Sequence, residues 1–382
     1  MKRVVISTVG TSLLTNRINR ANPDEKDWYK QLRDSANLNK QNTHQVTQDI
    51  IETLRERASQ ELKQSNVDKI RLISAELNCL YAVYKNQLAA GEQDKHYLIA
   101  TDTYQCQTTA EVVHDFLRQQ GLSVEIYTPP GLSTTSTETF ASGIDDLISW
   151  LETTCQGYDK THQICFNLVG SFKSLQGYLN TIGMFYADEI LYIFEGKGAE
   201  LITIPRLPIV LDYERIKPFT ADLALMAAGL DTPVNVDNQD IPESLVLKVD
   251  EEMTLSTWGK LVWTRCKKDL LSQELIKFPR LSYDSSFIPD YNQIGRPEDR
   301  VELQETLAKV SMLLEQNNGD TIPLKQDSQL RYNNYINKSF QVQGQPIGHF
   351  RVTQELRVSC ISKSGVLELR KYGLEPVINK NP

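Results

Sequence analysis

The sequence is poor in the signals that identify many enzymes. Its longest uninterrupted aliphatic stretches run only five or six residues, so no segment can cross a bilayer as a helix. Six cysteines, at 79, 106, 155, 165, 266 and 360, are scattered with no CxxC and no Cys/His cluster. That spacing argues against a zinc site and a disulfide scaffold, and it fits a reducing cytoplasm. There is no GxGxxG and no GxxxxGK[ST], so neither a dinucleotide fingerprint nor a Walker loop is present. Internal repeats and low-complexity tracts are also missing. The opening MKRVV has the charge of a secretory leader, but Ser7, Thr8, Gly10, Thr11 and Ser12 break the stretch that follows and no small-residue cleavage site comes after. It reads as a buried first strand.

What is present is an ordinary globular composition carrying an uneven charge. Of 382 residues 40% are apolar and 24% charged, and 41 basic against 49 acidic side chains leave a net −8. From Arg331 to Pro382 there are eight basic residues (331, 338, 351, 357, 363, 370, 371, 380) against three acidic (355, 368, 375). That end carries +5, which leaves −13 on residues 1–330. A small basic end on an acidic body points to a polyanion met only by the C-terminal part.

Through the first 200 residues, short β-rich runs alternate with helical patterns. The runs are Val4–Thr8, Ile70–Ser74, Tyr97–Thr101, Val124–Thr128, Ile164–Val169 and Ile190–Phe194. Between them apolar residues recur at helical spacing, as at Val46, Ile50, Leu54, Ala58 and Leu62. This alternation predicts an α/β domain with a mostly parallel sheet and helices on both faces. Ligands in such sheets bind beyond the carboxyl ends of the strands, near a topological switch point. Residues 17–42 form a polar insertion, Asp231–Pro242 a linker and Leu255–Leu271 a helix. From Ile276 a new pattern begins. An amphipathic helix over Arg300–Glu315 is followed by strand-like runs at His349–Val352, Leu356–Ile361 and Val366–Arg370, turning at Lys363-Ser364-Gly365. This is a small α+β domain with an antiparallel sheet. The expected division is 1–210, a connector over 211–273, and 274–382.

Candidate chemistry lies just after the strands. The first runs into Gly10-Thr11-Ser12, where a glycine permits a tight turn and the next residues open a helix whose N–H groups favour anions. Asn167-Leu168-Val169-Gly170-Ser171-Phe172-Lys173 repeats the arrangement. Lys173 in the first turn opposes the helix dipole unless an anion binds nearby. Asp102-Thr103 ends another strand and Ser74 a further one; Asp102 and Ser74 serve equally well as helix N-caps.

Taken together, STVGTSLLTN at 7–16, SAELN at 74–78 and VGSFK at 169–173 resemble the CRISPR-associated Rossmann-fold (CARF) sensor domains, and most closely the branch that includes ring nucleases. The resemblance covers about residues 1–210. It implies a Rossmann-like sensor that forms a homodimer and binds a cyclic oligoadenylate, most often the tetra-adenylate. The ligand residues it implies are Gly10, Thr11, Ser12, Asp102, Thr103, Gly170, Ser171, Phe172 and Lys173. Ser12 and Lys173 match the positions that ring nucleases use on the scissile phosphate, and Ser171-Phe172 stands where many relatives carry a second glycine.

Over about 274–382, helix 300–315 with GHFRV (348–352), ELRVSC (355–360) and GVLELRKYG (365–373) resembles the RelE-type toxins. That family comprises small metal-independent ribonucleases that cut messenger RNA on the ribosome. By this resemblance Arg351 and Arg357 are basic strand positions. Arg370, Lys371 and Tyr372 lie where the family places its last basic strand and its acid or base. His349 shares a sheet face with Arg351, because alternate strand residues point the same way. The usual Tyr or His-Tyr ending is replaced by Pro376-Val377-Ile378.

The two resemblances imply a ribonuclease switched on by cyclic tetra-adenylate as allosteric activator, acting on mRNA at the ribosome without a metal, a cofactor or a membrane. Two rivals are a ring nuclease that destroys the signal and a ligand-controlled nucleic-acid-binding regulator. The regulator usually needs a helix-turn-helix, where residues 340–375 read as strands.

Overall fold

The computed structural model describes residues 1–194, 200–235, 237–335, 340–342 and 344–382; Lys338 of the basic end lies outside them. The chain divides into two compact units, Met1–Ile209 and Val210–Pro382.

The first unit is a mixed α/β layer structure. Its strands are β1 (Lys2–Thr8), β2 (Lys95–Ile99), β3 (Ser123–Tyr127), β4 (His162–Asn167), β5 (Glu189–Ile193) and β6 (Leu201–Pro205). They form one sheet in the order β3-β2-β1-β4-β5-β6, parallel except for β6, which pairs antiparallel with β5. Covering helices are α1 (Ser12–Thr15), α2 (Trp28–Asp34), α3 (Gln45–Gln64), α4 (Val67–Ile73), α5 (Ala75–Val83), α6 (Tyr104–Gln119), α7 (Thr137–Gln156) and α8 (Lys173–Tyr186). The central strands are continuously apolar because both faces are covered: Val4, Val5 and Ile6 on β1 and Ile164, Cys165 and Phe166 on β4 are all buried. Local signals set the helix starts. Ser136 and Thr139 close a capping box on α7, and Asn66 caps α4 by accepting from the Lys69 N–H at 3.0 Å.

Ile70–Ser74, expected as a strand, is instead the last turns of α4 and its cap. Val67, Ile70 and Ile73 recur at the three-residue spacing of a helix face, a period that a five-residue window hides. The polar insertion at 17–42 contains α2, whose Leu32 joins the core of this unit. All six cysteines are buried free thiols.

In the second unit, helices α9 (Tyr213–Ile216), α10 (Thr220–Ala228) and α11 (Thr257–Leu271) accompany a small sheet of β7 (Thr232–Pro233), β8 (Val246–Val249) and β9 (Glu252–Leu255), ordered β7-β9-β8. Then come β10 (Leu281–Tyr283), α12 (Phe287–Asn292), α13 (Pro297–Gln316), α14 (Ile322–Gln326), β11 (Asn333–Asn334), β12 (Gln341–Val342), β13 (Gln345–Arg351), β14 (Leu356–Lys363), β15 (Val366–Leu374) and α15 (Glu375–Ile378). The main sheet runs β10-β15-β14-β13-β11, with β12 also on β13. It is antiparallel apart from the β10–β15 pair. The β14–β15 hairpin turns at Ser364 and Gly365, both at positive φ (53° and 76°). Two successive positive φ values are what a tight two-residue hairpin requires.

Residues 211–273, expected to form a connector, are part of this unit. Ile216, Leu223, Leu255, Trp263 and Leu271 share one apolar core with Leu303, Leu307, Phe350 and Leu369. Burial of those side chains, at about 1.5–3 kcal/mol each, holds the segment to the sheet. Within it, Asp231–Pro242 supplies β7 to the small sheet where a plain linker was expected.

Candidate functional site

The strand order of the first unit reverses between β1 and β4, since β1 runs on to β2 on one side and β4 to β5 on the other. Both expected ligand turns leave the sheet at this point. Ser7 is in register with Asn167, so Gly10-Thr11-Ser12 and Gly170-Ser171-Phe172-Lys173 emerge side by side. A Cβ on Gly10 would lie 3.2 Å from the Ser171 nitrogen, which is how close the two turns run. Ser12 is exposed at the start of α1, and Lys173 is exposed as the first residue of α8. Because α1 has only four residues its macrodipole is slight; the fourteen-residue α8 is the helix whose amino end carries a useful field. Ser171 holds a φ of 146°, a strained conformation for a side chain with a Cβ. Its buried hydroxyl has no hydrogen-bond partner. Phe172 is the N-cap residue of α8, with its ring 6.1 Å from that of Phe140.

A pocket of about 260 Å³ opens beside these turns, lined among others by Ser12, Asn16, Arg71, Asn78, Val169 and Phe194. Arg71 brings a cation that the sequence reading missed, because that reading placed residue 71 inside a strand. Its Nε donates to Asn78 Oδ1 at 2.8 Å, which orients the guanidinium at the rim. Asp102 and Thr103 follow β2, one strand away, and both are occupied. Asp102 accepts from Gln107 Nε2 and from the Gly131 N–H, each at 3.1 Å. Thr103 is buried, with its hydroxyl 3.0 Å from that of Thr101. The structure therefore groups seven of the nine expected ligand residues and leaves Asp102 and Thr103 in the scaffold.

In the second unit the sheet has one face on the core and one carrying the basic residues. Register places Arg351 opposite Arg357 and His349 opposite Ser359, and Ser359 pairs in turn with Lys371. These side chains share the face turned away from the apolar core, although Arg357 and Ser359 are themselves buried there. A bulge between Ser359 and Cys360 leaves Arg370 as an extra residue, ion-paired with Glu368 at 3.8 Å. Tyr372 pairs with Val358 and packs against the core cluster. Its backbone N–H donates to Asp290 Oδ2 at 2.9 Å, and burial pushes its hydroxyl up to about 12. Tyr372, expected beside the basic strand residues, thus lies on the opposite face.

Arg357 is itself largely used up. It is only 3% exposed, and it donates to Thr353 O (2.8 Å), Leu356 O (3.0 Å) and Glu375 Oε2 (3.0 Å). Arg351 lines a pocket of about 490 Å³ together with, among others, Glu302, Glu305, Lys309, Gln329 and Gln354, and its Nε has no hydrogen-bond partner. The His349 ring lies 4.6 Å from that of Tyr335. Burial, with Arg357 nearby, lowers the His349 pKa from its ordinary value, and its buried Nδ1 has no partner. Burial pushes the Tyr335 hydroxyl up to about 12, and this hydroxyl donates to Asn379 Oδ1 at 2.9 Å. Tyr335, Glu375 and Asn379 escaped the sequence reading. They belong to a polar run and to the C-terminal turn, and only the folded register brings them to His349 and Arg357.

Among the described residues no group of three or more His, Cys, Asp or Glu side chains could hold a metal ion, and no helix is long and apolar enough to cross a membrane.

A doubly wound sheet with polar glycine turns meeting at its switch point defines a class, that of open α/β sheets, whose crevice lies beyond the carboxyl ends of the strands. The sequence comparison is more particular. Residues 71–207 match the model of a family described as "CRISPR-associated protein (Cas_APE2256)". The matched stretch contains Ser74–Asn78 and Val169–Lys173, so over the greater part of its first unit the chain is similar to a CRISPR-associated protein.

Proposed function

We propose that this CRISPR-associated chain is a ribonuclease controlled by a cyclic oligoadenylate. In this reading two copies of the first unit bind one ring. The second unit then cuts messenger RNA on the ribosome, without a metal. The observation that carries the reading is the close approach of the Gly10–Ser12 and Gly170–Lys173 turns at the switch point, with Ser12 and Lys173 both exposed and a pocket lined by Ser12 and Arg71 beside the first turn. Hydroxyls and cations at the open end of a parallel sheet suit a ring of phosphodiesters.

In the second unit the proposed reaction is attack of a ribose 2′-hydroxyl on the adjacent phosphorus. His349, kept neutral at pH 7 by its lowered pKa, accepts the 2′ proton. Arg351 and Lys371 stabilise the pentavalent phosphorane. Tyr335, which keeps its proton until about pH 12, donates to the leaving 5′-oxygen. Arg357, tied to two carbonyls and Glu375, orients the strand and adds positive potential. Tyr372, on the core face, takes no part.

Titration of the full chain with cyclic tetra-adenylate tests the sensor half. The expected result is one ring per two chains and a strong loss of affinity in Lys173→Ala; absence of binding would end the reading. The exposure of Ser12 and Lys173 also favours a second reading, in which the first unit cleaves the ring. Chromatography of the bound nucleotide distinguishes the two, since linear products that vanish in Lys173→Ala would establish ring cleavage.

A further inference from the structure

Directly beneath the two ligand turns lies a carboxyl group with no exposure at all, that of Glu76. A buried carboxylate is costly unless a cation pairs with it, and among the described residues none does: its partners are neutral. Oε1 accepts the Gly10 N–H at 2.8 Å and Oε2 accepts the Ser74 hydroxyl at 2.8 Å. Burial accordingly raises its pKa. Ser74 also caps α5, accepting the Leu77 N–H at 3.2 Å, so the carboxyl is braced from below. On its other side it touches the second turn. A Cβ on Gly170 would overlap Glu76 Oε1 and would lie 2.7 Å from the Thr8 carbonyl oxygen. The Glu76 backbone carbonyl accepts from Asn167 Nδ2 at 3.3 Å, and the same amide reaches Ser7 Oγ at 3.1 Å. One residue therefore bonds the β1–α1 turn, packs against the β4–α8 turn and bonds the last residue of β4.

An apolar side chain of this size would fill the space but would leave the half-buried Gly10 N–H without its acceptor, a loss of about 1 kcal/mol. The Gly10 N–H is thereby consumed and cannot serve a ligand phosphate, which leaves the hydroxyls and N–H groups of Thr11 and Ser12 to do so.

We propose that Glu76 is the positioning residue of the ligand site. Its carboxyl acts as a clamp that fixes the spacing between the Gly10–Ser12 and Gly170–Lys173 turns, and so between Ser12 and Lys173. The proposal rests on reading the first unit as a cyclic oligoadenylate sensor. It concerns geometry, not charge, so an isosteric amide preserves the function: a glutamine accepts from Gly10 with its oxygen and donates to Ser74 with its nitrogen.

The test is calorimetric titration of the full chain with cyclic tetra-adenylate for wild type, Glu76→Gln, Glu76→Asp and Glu76→Ala, with a melting curve for each. The expected pattern is binding by Glu76→Gln within about twofold of wild type, and binding by Glu76→Asp and Glu76→Ala weaker by about tenfold or more, the scale of one lost charged-group hydrogen bond. Aspartate retains the carboxyl group but is one methylene too short to reach Gly10. If Glu76→Ala fails to fold, the contrast between aspartate and glutamine decides. Wild-type binding with all variants equal overturns the clamp alone, as does a glutamine variant as weak as the aspartate. Failure of wild type itself to bind overturns the sensor reading and the clamp with it.

Discussion

The Arg357–Glu375 pair ties the last helix to the sheet of the second unit, and its strength is measurable. Arg357 is buried, and its guanidinium donates to two carbonyl oxygens as well as to Glu375 Oε2 at 3.0 Å. Glu375→Ala removes the one carboxylate and leaves a buried cation on two neutral acceptors. Breaking a fully buried pair costs several kcal/mol. The Glu375 side chain, however, is 42% exposed, so water screens the attraction and replaces part of the bond, and the loss falls to about 1–2 kcal/mol. Because α15 carries Glu375 onto the sheet, the loss should be local to β14 and β15. Native-state hydrogen exchange of their amides reads it as roughly five- to thirtyfold faster exchange. Glu375→Gln keeps an acceptor for Arg357 and should show a smaller effect. In an Arg357→Ala background, Glu375→Ala should change exchange by no more than about 0.3 kcal/mol, the limit for uncoupled sites. Equal effects of Glu375→Ala in both backgrounds would refute the reasoning, because the two side chains would then be independent.

Two further predictions concern the first unit. Gly170→Ala should destabilise by about 1–3 kcal/mol through overpacking, since its Cβ meets Glu76 and the Thr8 carbonyl. Gly177→Ala, within α8 and with nothing within 4 Å of its Cβ, should stabilise by about 0.5–1 kcal/mol; melting curves that shift in the same direction would contradict one of the two. Glu25 ties down the 17–42 insertion, accepting from the Asn19 N–H at 2.7 Å and from both Arg57 nitrogens at 2.9 Å. The Arg57 guanidinium holds its carboxyl down at about 2, against about 4.3 when unfolded. A depressed carboxylate contributes stability above the unfolded value and loses it as pH falls through the folded one. The wild-type melting temperature should therefore drop more steeply than that of Glu25→Gln between about pH 4 and pH 2; parallel curves would show that the carboxylate adds nothing.

The parallel sheet was legible because its strands are buried on both faces and so carry unbroken apolar runs, as at Val4–Ile6 and Ile164–Phe166. What escaped lacked such a run. The edge strand β6 ends on a proline, β7 is two residues long with a proline in it, and α4 is too short for its period to stand out. The turns at Gly10–Ser12 and Gly170–Lys173 could be read as glycine, hydroxyl and lysine at strand ends, but the carboxyl beneath them could not. Glu76 looks like any acidic residue in a helix first turn until Gly10 and Gly170, 66 and 94 positions away in sequence, close over it. The family resemblance alone groups Tyr372 with Arg370 and Lys371, whereas strand alternation puts it on the face opposite Lys371; the bulge at Arg370 is announced by no local pattern. The closeness of His349 and Tyr335 depends on the pairing of β11 with β13, a long-range register that sequence spacing does not encode.

The most direct test of the whole account is messenger-RNA cleavage in a translating extract, with and without cyclic tetra-adenylate, by wild type and by Arg351→Ala. Arg351 is preferred to Arg357 because its loss removes a cation lining a pocket without breaking an ion pair in the sheet. The account predicts cuts that appear only with the ring nucleotide and are lost in the variant. Cleavage that ignores the nucleotide, or that survives intact in Arg351→Ala, would contradict it.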